Sequence, residues 1–165
     1  MFIHIDDFVK AWTEESTLTE RVMEALTDAS LSQPIAEGRR TLGQVAWHLV
    51  ESIHYMTHCG LDFSGPSGGA RVPASAVEIA AEYRRISGAL IEAIRSQWTD
   101  ERLLDTTEIA GEMWQNGASL RFTLMHQAHH RGQMTVLMRQ AGLRLPDIYG
   151  PTYESWIEQG MEPLA

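Results

Sequence analysis

Leu124–Gly142 reads "LMHQAHHRGQMTVLMRQAG", three histidines within five residues of a segment that otherwise has the periodicity of one amphipathic helix. Residues four apart stand about 40° from one another around a helix axis, so His126 and His130 share a face. The same stripe runs through Ser119, Phe122 and Thr123 on one side and Gln133 and Leu137 on the other, the stripe a bundle would turn toward its core. The helix is predicted over about Ala118 to Ala141, with Gly142 as its stop.

Three further segments carry the same period. The first spans about Asp6 to Ala29, with Phe8, Trp12, Val22 and Leu26 on one stripe. The second, Thr41 to about Cys59, opens on a capping-box pattern, Thr41 with Gln44, and stops at Gly60. The third opens on Ser75 with Glu78 and carries Ile79, Tyr83, Ile86, Leu90 and Ile94 on one face to about Trp98. Between the second and third, "DFSGPSGGARVP" (62–73) is a Gly/Pro-rich crossover loop; it has neither the Gly-Lys-Ser/Thr ending nor the preceding strand of a phosphate-binding loop. "LLDTTEIAGEMWQNG" (103–117) suits a short hairpin or irregular excursion, with Gly111 and Gly117 as turn points. The tail holds one more short helix, around Tyr153 to Gln159. The pattern predicts an all-α four-helix bundle, a single domain over 1–165, with a long crossover loop between helices two and three and a short C-terminal extension.

Composition narrows the function. Thirteen basic against 22 acidic side chains give a net charge of -9, which disfavours a nucleic-acid partner. No apolar run approaches the roughly 20 residues of a membrane helix, and the start lacks a signal-peptide pattern, so a soluble, cytoplasmic protein is expected. A single cysteine, Cys59, forms no internal disulfide.

An i, i+4 histidine pair is weak on its own, since two surface or hydrogen-bonded imidazoles have the same spacing. The second helix adds His48, which shares its side with Val45, Ser52, Tyr55 and Cys59. Three buried imidazoles without partners would be costly, whereas one divalent ion satisfies all three nitrogens and leaves coordination positions open. His54 and His58 form a competing pair, but lie toward a flank of the same helix. His129, about 60° from His126, is either a boundary residue or a rim residue that supports a ligand or faces substrate. His4 precedes the first helix and is expected to be exposed. Glu51, about 60° from His48, is a base, a ligand-supporting partner or a solvated acid. Gln133 is placed to hydrogen-bond a ligand, or to end the bundle as a plain polar residue. Gly132 would admit a neighbouring helix, and Arg131 points away from the ligand face as an ion-pairing or capping residue. Cys59 lies too far along the axis to be a ligand. Tyr55 and Trp47 are candidate pocket walls.

The histidine in "QVAWHLVES" (44–52) and the run His126-Gln-Ala-His-His130-Arg-Gly-Gln133 resemble the DinB-like family, and "LMRQAGLRLPDIYG" is similar to its usual ending; the match covers about Thr41 to Pro146. The resemblance implies a four-helix bundle in which His48, His126 and His130 hold a divalent transition ion, zinc or nickel. It further implies a non-redox enzyme acting on a small-molecule substrate, a thiol-dependent transferase, isomerase or hydrolase, with a low-molecular-weight thiol as a possible partner. The alternative is a non-catalytic stress-response or binding module stabilised by its metal. A homodimer is expected, on the resemblance and because Trp156 and Ile157 have no evident internal partner.

Overall fold

Helix α2 (Leu42–Ile53) begins where Thr41 and Gln44 close a full capping box: Thr41 Oγ1 accepts from the Gln44 amide at 3.3 Å, and Gln44 Oε1 accepts from the Thr41 amide at 2.8 Å. In the computed structural model, which describes residues 1–163, the other long helices are α1 (Ile5–Glu24), α3 (Ala76–Gln97) and α4 (Asn116–Gln140), followed by a short α5 (Tyr153–Glu158). A two-stranded hairpin, β1 (Thr106–Ile109) and β2 (Glu112–Gln115), precedes α4.

Each of α1 and α2 packs against both α3 and α4, so α1 and α2 stand at opposite corners of a four-helix bundle. Cross-links give the directions. Trp12 bonds Ser87 while Arg84 pairs with Glu20 and Glu24, which makes α1 and α3 antiparallel. The Phe2 amide bonds the Gly117 carbonyl and Arg131 bonds Thr19, so α1 and α4 are parallel. Gln127 donates to the Leu49 carbonyl and Thr123 to the Met56 sulfur, so α4 and α2 are antiparallel. Helices α2 and α3 therefore run the same way. The connection between them must travel the length of the bundle, which is why the Gly/Pro-rich segment is long.

That crossover segment is pinned along its course. His54 Nε2 lies 3.0 Å from the Phe63 carbonyl, Arg85 donates to the Gly65 carbonyl at 2.6 Å, Glu82 accepts from the Ser67 amide at 2.6 Å, and the Trp47 indole donates to the Gly69 carbonyl at 3.3 Å. Gly65 sits so close to the imidazole of His54 that a Cβ there would lie 3.1 Å from the ring.

Several boundaries differ from the sequence expectation. Helix α1 stops at Glu24 instead of reaching Ala29, because Thr27 caps a separate 3₁₀ turn, Asp28–Ser32, through a reciprocal box with Ser30. Beyond Ile53 the second helix tightens into a 3₁₀ turn, His54–Cys59, which ends at Gly60 with φ of 89°. At Ser75 only half of the expected box forms; Asp28 supplies a second cap by accepting from the Ala76 amide at 2.7 Å. Gly117 is no turn residue: it lies inside α4, where a side chain would collide with the Phe2 carbonyl. Gly132 faces open space and admits no neighbouring helix within the described chain. The hairpin turns at Ala110 and Gly111, both at positive φ (51° and 84°), the geometry that suits the twist of a two-residue hairpin loop.

The core is built on Phe8, Trp12, Trp47, Tyr83, Leu49 and Ile86, all fully buried. Arg131 is 1% exposed and joins α4 to α1 and to the tail. It donates to the Glu15 carbonyl (2.9 Å), to Thr19 Oγ1 (2.9 Å), to the Glu15 carboxylate (2.5 Å) and to the Tyr149 hydroxyl. Helix α5 buries none of its residues; ion pairs from Arg139 to Glu154 and from Arg144 to Glu158 hold the tail. Among the described residues no helix is long and apolar enough to cross a membrane.

Candidate metal centre

The antiparallel contact of α2 with α4 brings His48 onto the level of the His126/His130 pair. One ring nitrogen from each of the three lies within 4.8 Å of the others. The ring centroids are 5.0 Å (His48 to His126), 4.7 Å (His48 to His130) and 4.4 Å (His126 to His130) apart. Nε2 of His126 and Nε2 of His130 are 3.1 Å from each other. Two ligand nitrogens about 2.1 Å from one ion would stand roughly 3.0–3.4 Å apart, depending on the bond angle, so this spacing matches a shared cation.

The environment keeps these rings neutral. Burial, then the neighbouring His130, His48 and His129 and the more distant Arg40, depresses His126 to about 4. Burial first, then His130 and Arg40, lowers His48. Burial likewise lowers His130, against the opposing hydrogen bond from Gln133. Neutral imidazole is the form that offers a lone pair.

Gln133 decides which nitrogen of His130 is available. Its Oε1 lies 2.7 Å from His130 Nδ1. A carboxamide oxygen only accepts, so Nδ1 carries the proton and Nε2 is left as a lone pair aimed at His126. The Nε2 amide of Gln133 then points the other way, 3.2 Å from Nε2 of His129, to which it donates. His129 is exposed and its ring nitrogen engages Gln133, outside the group of three. Glu51 is half-buried on α2 and also stands outside that group.

The remaining candidates have other partners. His54 holds the crossover segment, His58 is exposed beside the Tyr55 ring, and His4 pairs with Asp100 at 2.9 Å. Trp47 is 1% exposed and serves the crossover segment. Cys59 is a buried free thiol that burial pushes up in pKa, separate from the imidazoles. Tyr55 does wall a cavity, of about 230 Å³, that opens beside His48 and His126 and is completed by Ser52, Phe122 and Thr123. Phe122, expected to face the core, is instead 46% exposed on the wall of that cavity, with Trp114 of the hairpin edge-on against its ring at 5.7 Å. Trp114 escaped notice in the sequence, since nothing local ties a strand residue to a helix that starts two positions later.

Comparison with known proteins agrees with this fold. The DinB family profile matches residues 1–161. The chain is 45% identical to the uncharacterized protein YrdA of Bacillus subtilis, over 98% of both chains. It is similar to a crystal structure of a DinB-like protein from Bacillus cereus, with a TM-score of 0.84 and 45% identity over 90% of this chain and 100% of that one. A second DinB-like protein, YjoA of Bacillus subtilis, shares the fold at 17% identity, with a TM-score of 0.67 over 88% of this chain and 99% of the other.

Proposed function

The chain belongs to the DinB family, and on that premise we propose that it is a non-redox metal-dependent enzyme acting on a small molecule, as a thiol-dependent transferase, an isomerase or a hydrolase. The observation that carries the reading is the convergence of three neutral imidazole nitrogens beside a cavity that a small molecule can enter. His48, His126 and His130 would hold the ion, zinc or nickel. When bound by three imidazoles, such an ion retains free positions and can acidify water, polarise a carbonyl or hold a thiolate.

The chain's own residues supply the rest. Gln133 fixes the tautomer of His130, and His129 holds the other end of that carboxamide. Phe122 and Tyr55 give the cavity an aromatic wall. Glu51, half-buried on α2, and His129, exposed with its ring 4.8 Å from that of His130, would be the proton carriers. A non-catalytic, metal-stabilised stress-response or binding module would be better served by a fourth protein ligand closing the site. Among the described residues the ligand group numbers three, which favours turnover. The reading extends to a cytoplasmic homodimer. The exposed Ile157, on a helix that buries nothing, supports a partner copy at the tail.

The test is metal content. Protein prepared with zinc or nickel is expected to retain about one ion per chain. A wild-type chain that retains none after exposure to either metal would overturn the reading.

A further inference from the structure

The space beside the histidines is walled by rings. Phe122 lies 5.7 Å from the His126 ring at an interplanar angle of 34°, 6.4 Å from the Tyr55 ring, and edge-on to Trp114. No Asp, Glu, Lys or Arg lines the cavity. Its small hydroxyls are already committed: Ser52 Oγ donates to the Leu49 carbonyl at 3.0 Å, and Thr123 Oγ1 to the Ser119 carbonyl at 3.0 Å. Away from the ion, a charged group entering this space meets no side chain of opposite charge, a cost that an apolar ring escapes. Arg40, the cation felt by all three imidazoles, is exposed and outside the lining. As for size, a dry apolar cavity of about 150 Å³ accommodates benzene, and this one is about 230 Å³.

Resting on the reading of the triad as a metal centre, we propose that this cavity takes a ligand that carries its metal-binding atom on a single apolar aromatic ring, the ring against Phe122 and the metal-binding atom toward His48 and His126. Phe122 then has a reason to be left half-exposed: its free face is the ligand's seat. Selectivity comes from the aromatic wall, which seats a ring and offers no side-chain cation to a second, charged group on the ligand.

The proposal is tested on cobalt(II)-loaded protein by visible absorption, with three probes that offer the same donor nitrogen: imidazole, phenylimidazole and imidazolepropionate. The spectrum before any probe is added reports whether the ion is held by imidazoles at all, so failure of the metal centre is seen separately. Phenylimidazole is expected to bind about tenfold more tightly than imidazole, the worth of one ring contact, and imidazolepropionate no more tightly. Phe122→Ala should erase the advantage of the phenyl group while leaving imidazole binding in place. Phe122→Leu, which keeps apolar bulk, should lose most of it. Equal affinities for the first two probes, a phenyl advantage that survives in both variants, or tighter binding of the carboxylate would each overturn the proposal.

Discussion

The carboxamide of Gln133 joins two histidines of unlike standing: its oxygen takes the Nδ1 proton of buried His130 at 2.7 Å, and its amide donates to exposed His129 at 3.2 Å. Because the oxygen can only accept and the nitrogen only donate, one orientation of this amide sets the tautomers of both rings. Gln133→Ala is therefore expected to weaken metal binding about 10–100-fold, the usual cost of removing a hydrogen bond behind a ligand. His129→Ala should cost less than Gln133→Ala, since it frees only the far end of the carboxamide. Competition titrations with a chromophoric chelator measure both. A larger loss in His129→Ala than in His130→Ala would show that His129 is the ligand.

Replacement of the ligands themselves separates them from their neighbours. His48→Ala, His126→Ala and His130→Ala are each expected to lose bound zinc or nickel, while His54→Ala and Cys59→Ala retain it. Elemental analysis of parallel preparations checks this. Retention by all three triad variants would rule out the site.

Acid acts on the metal-free protein through the same rings. His126 titrates at about 4 in the folded chain and near its ordinary 6.5 when unfolded, and His48 and His130 are shifted in the same direction. Between those two values the unfolded chain binds protons that the folded chain refuses, so stability falls as pH drops from about 6.5 toward 4 and recovers as pH rises. Thermal melts of metal-free wild type and His126→Ala across that range should diverge, with the variant less sensitive. Parallel curves would show that His126 contributes nothing to the acid response. In the metal-loaded protein the loss should be steeper, since protons also compete with the ion for its ligands.

A fourth expectation concerns α1. Glu15→Ala leaves the buried guanidinium of Arg131 without its carboxylate, a defect that typically costs about 3–5 kcal/mol. For a chain of this size the melting temperature should fall by on the order of 10 °C. Metal content at low temperature should be unchanged, because the pair lies on the α1 side of α4 while the ligands face α2. A shift of only a degree or two would mean that Tyr149 and Thr19 satisfy Arg131 without help.

The helices and the shared level of the three histidines were legible because both follow from one period: apolar residues at 3.6 spacing, and imidazoles on the same stripe. What escaped was long-range. Asp28 caps α3 from 48 residues away, and Trp114 packs edge-on against Phe122; neither leaves a local signature. The early stop of α1 could have been read from Thr27 and Ser30, a capping pattern hidden within an apolar stripe that continued to Leu26. Gly117 looked like a turn because glycine usually marks one, whereas here it makes room for the Phe2 carbonyl.

The antiparallel seam between α2 and α4, stitched where Gln127 meets the Leu49 carbonyl across 78 residues, also sets when the site can exist during synthesis. One of the three candidate ligands, His48, is made early and waits while the crossover segment, α3 and the hairpin are translated. Until α4 emerges, His48 stands alone, and the group of three is complete only when α4 docks on α2. An ion that needs all three imidazoles would therefore be captured only after α4 docks on α2, and its binding would stabilise the closed bundle.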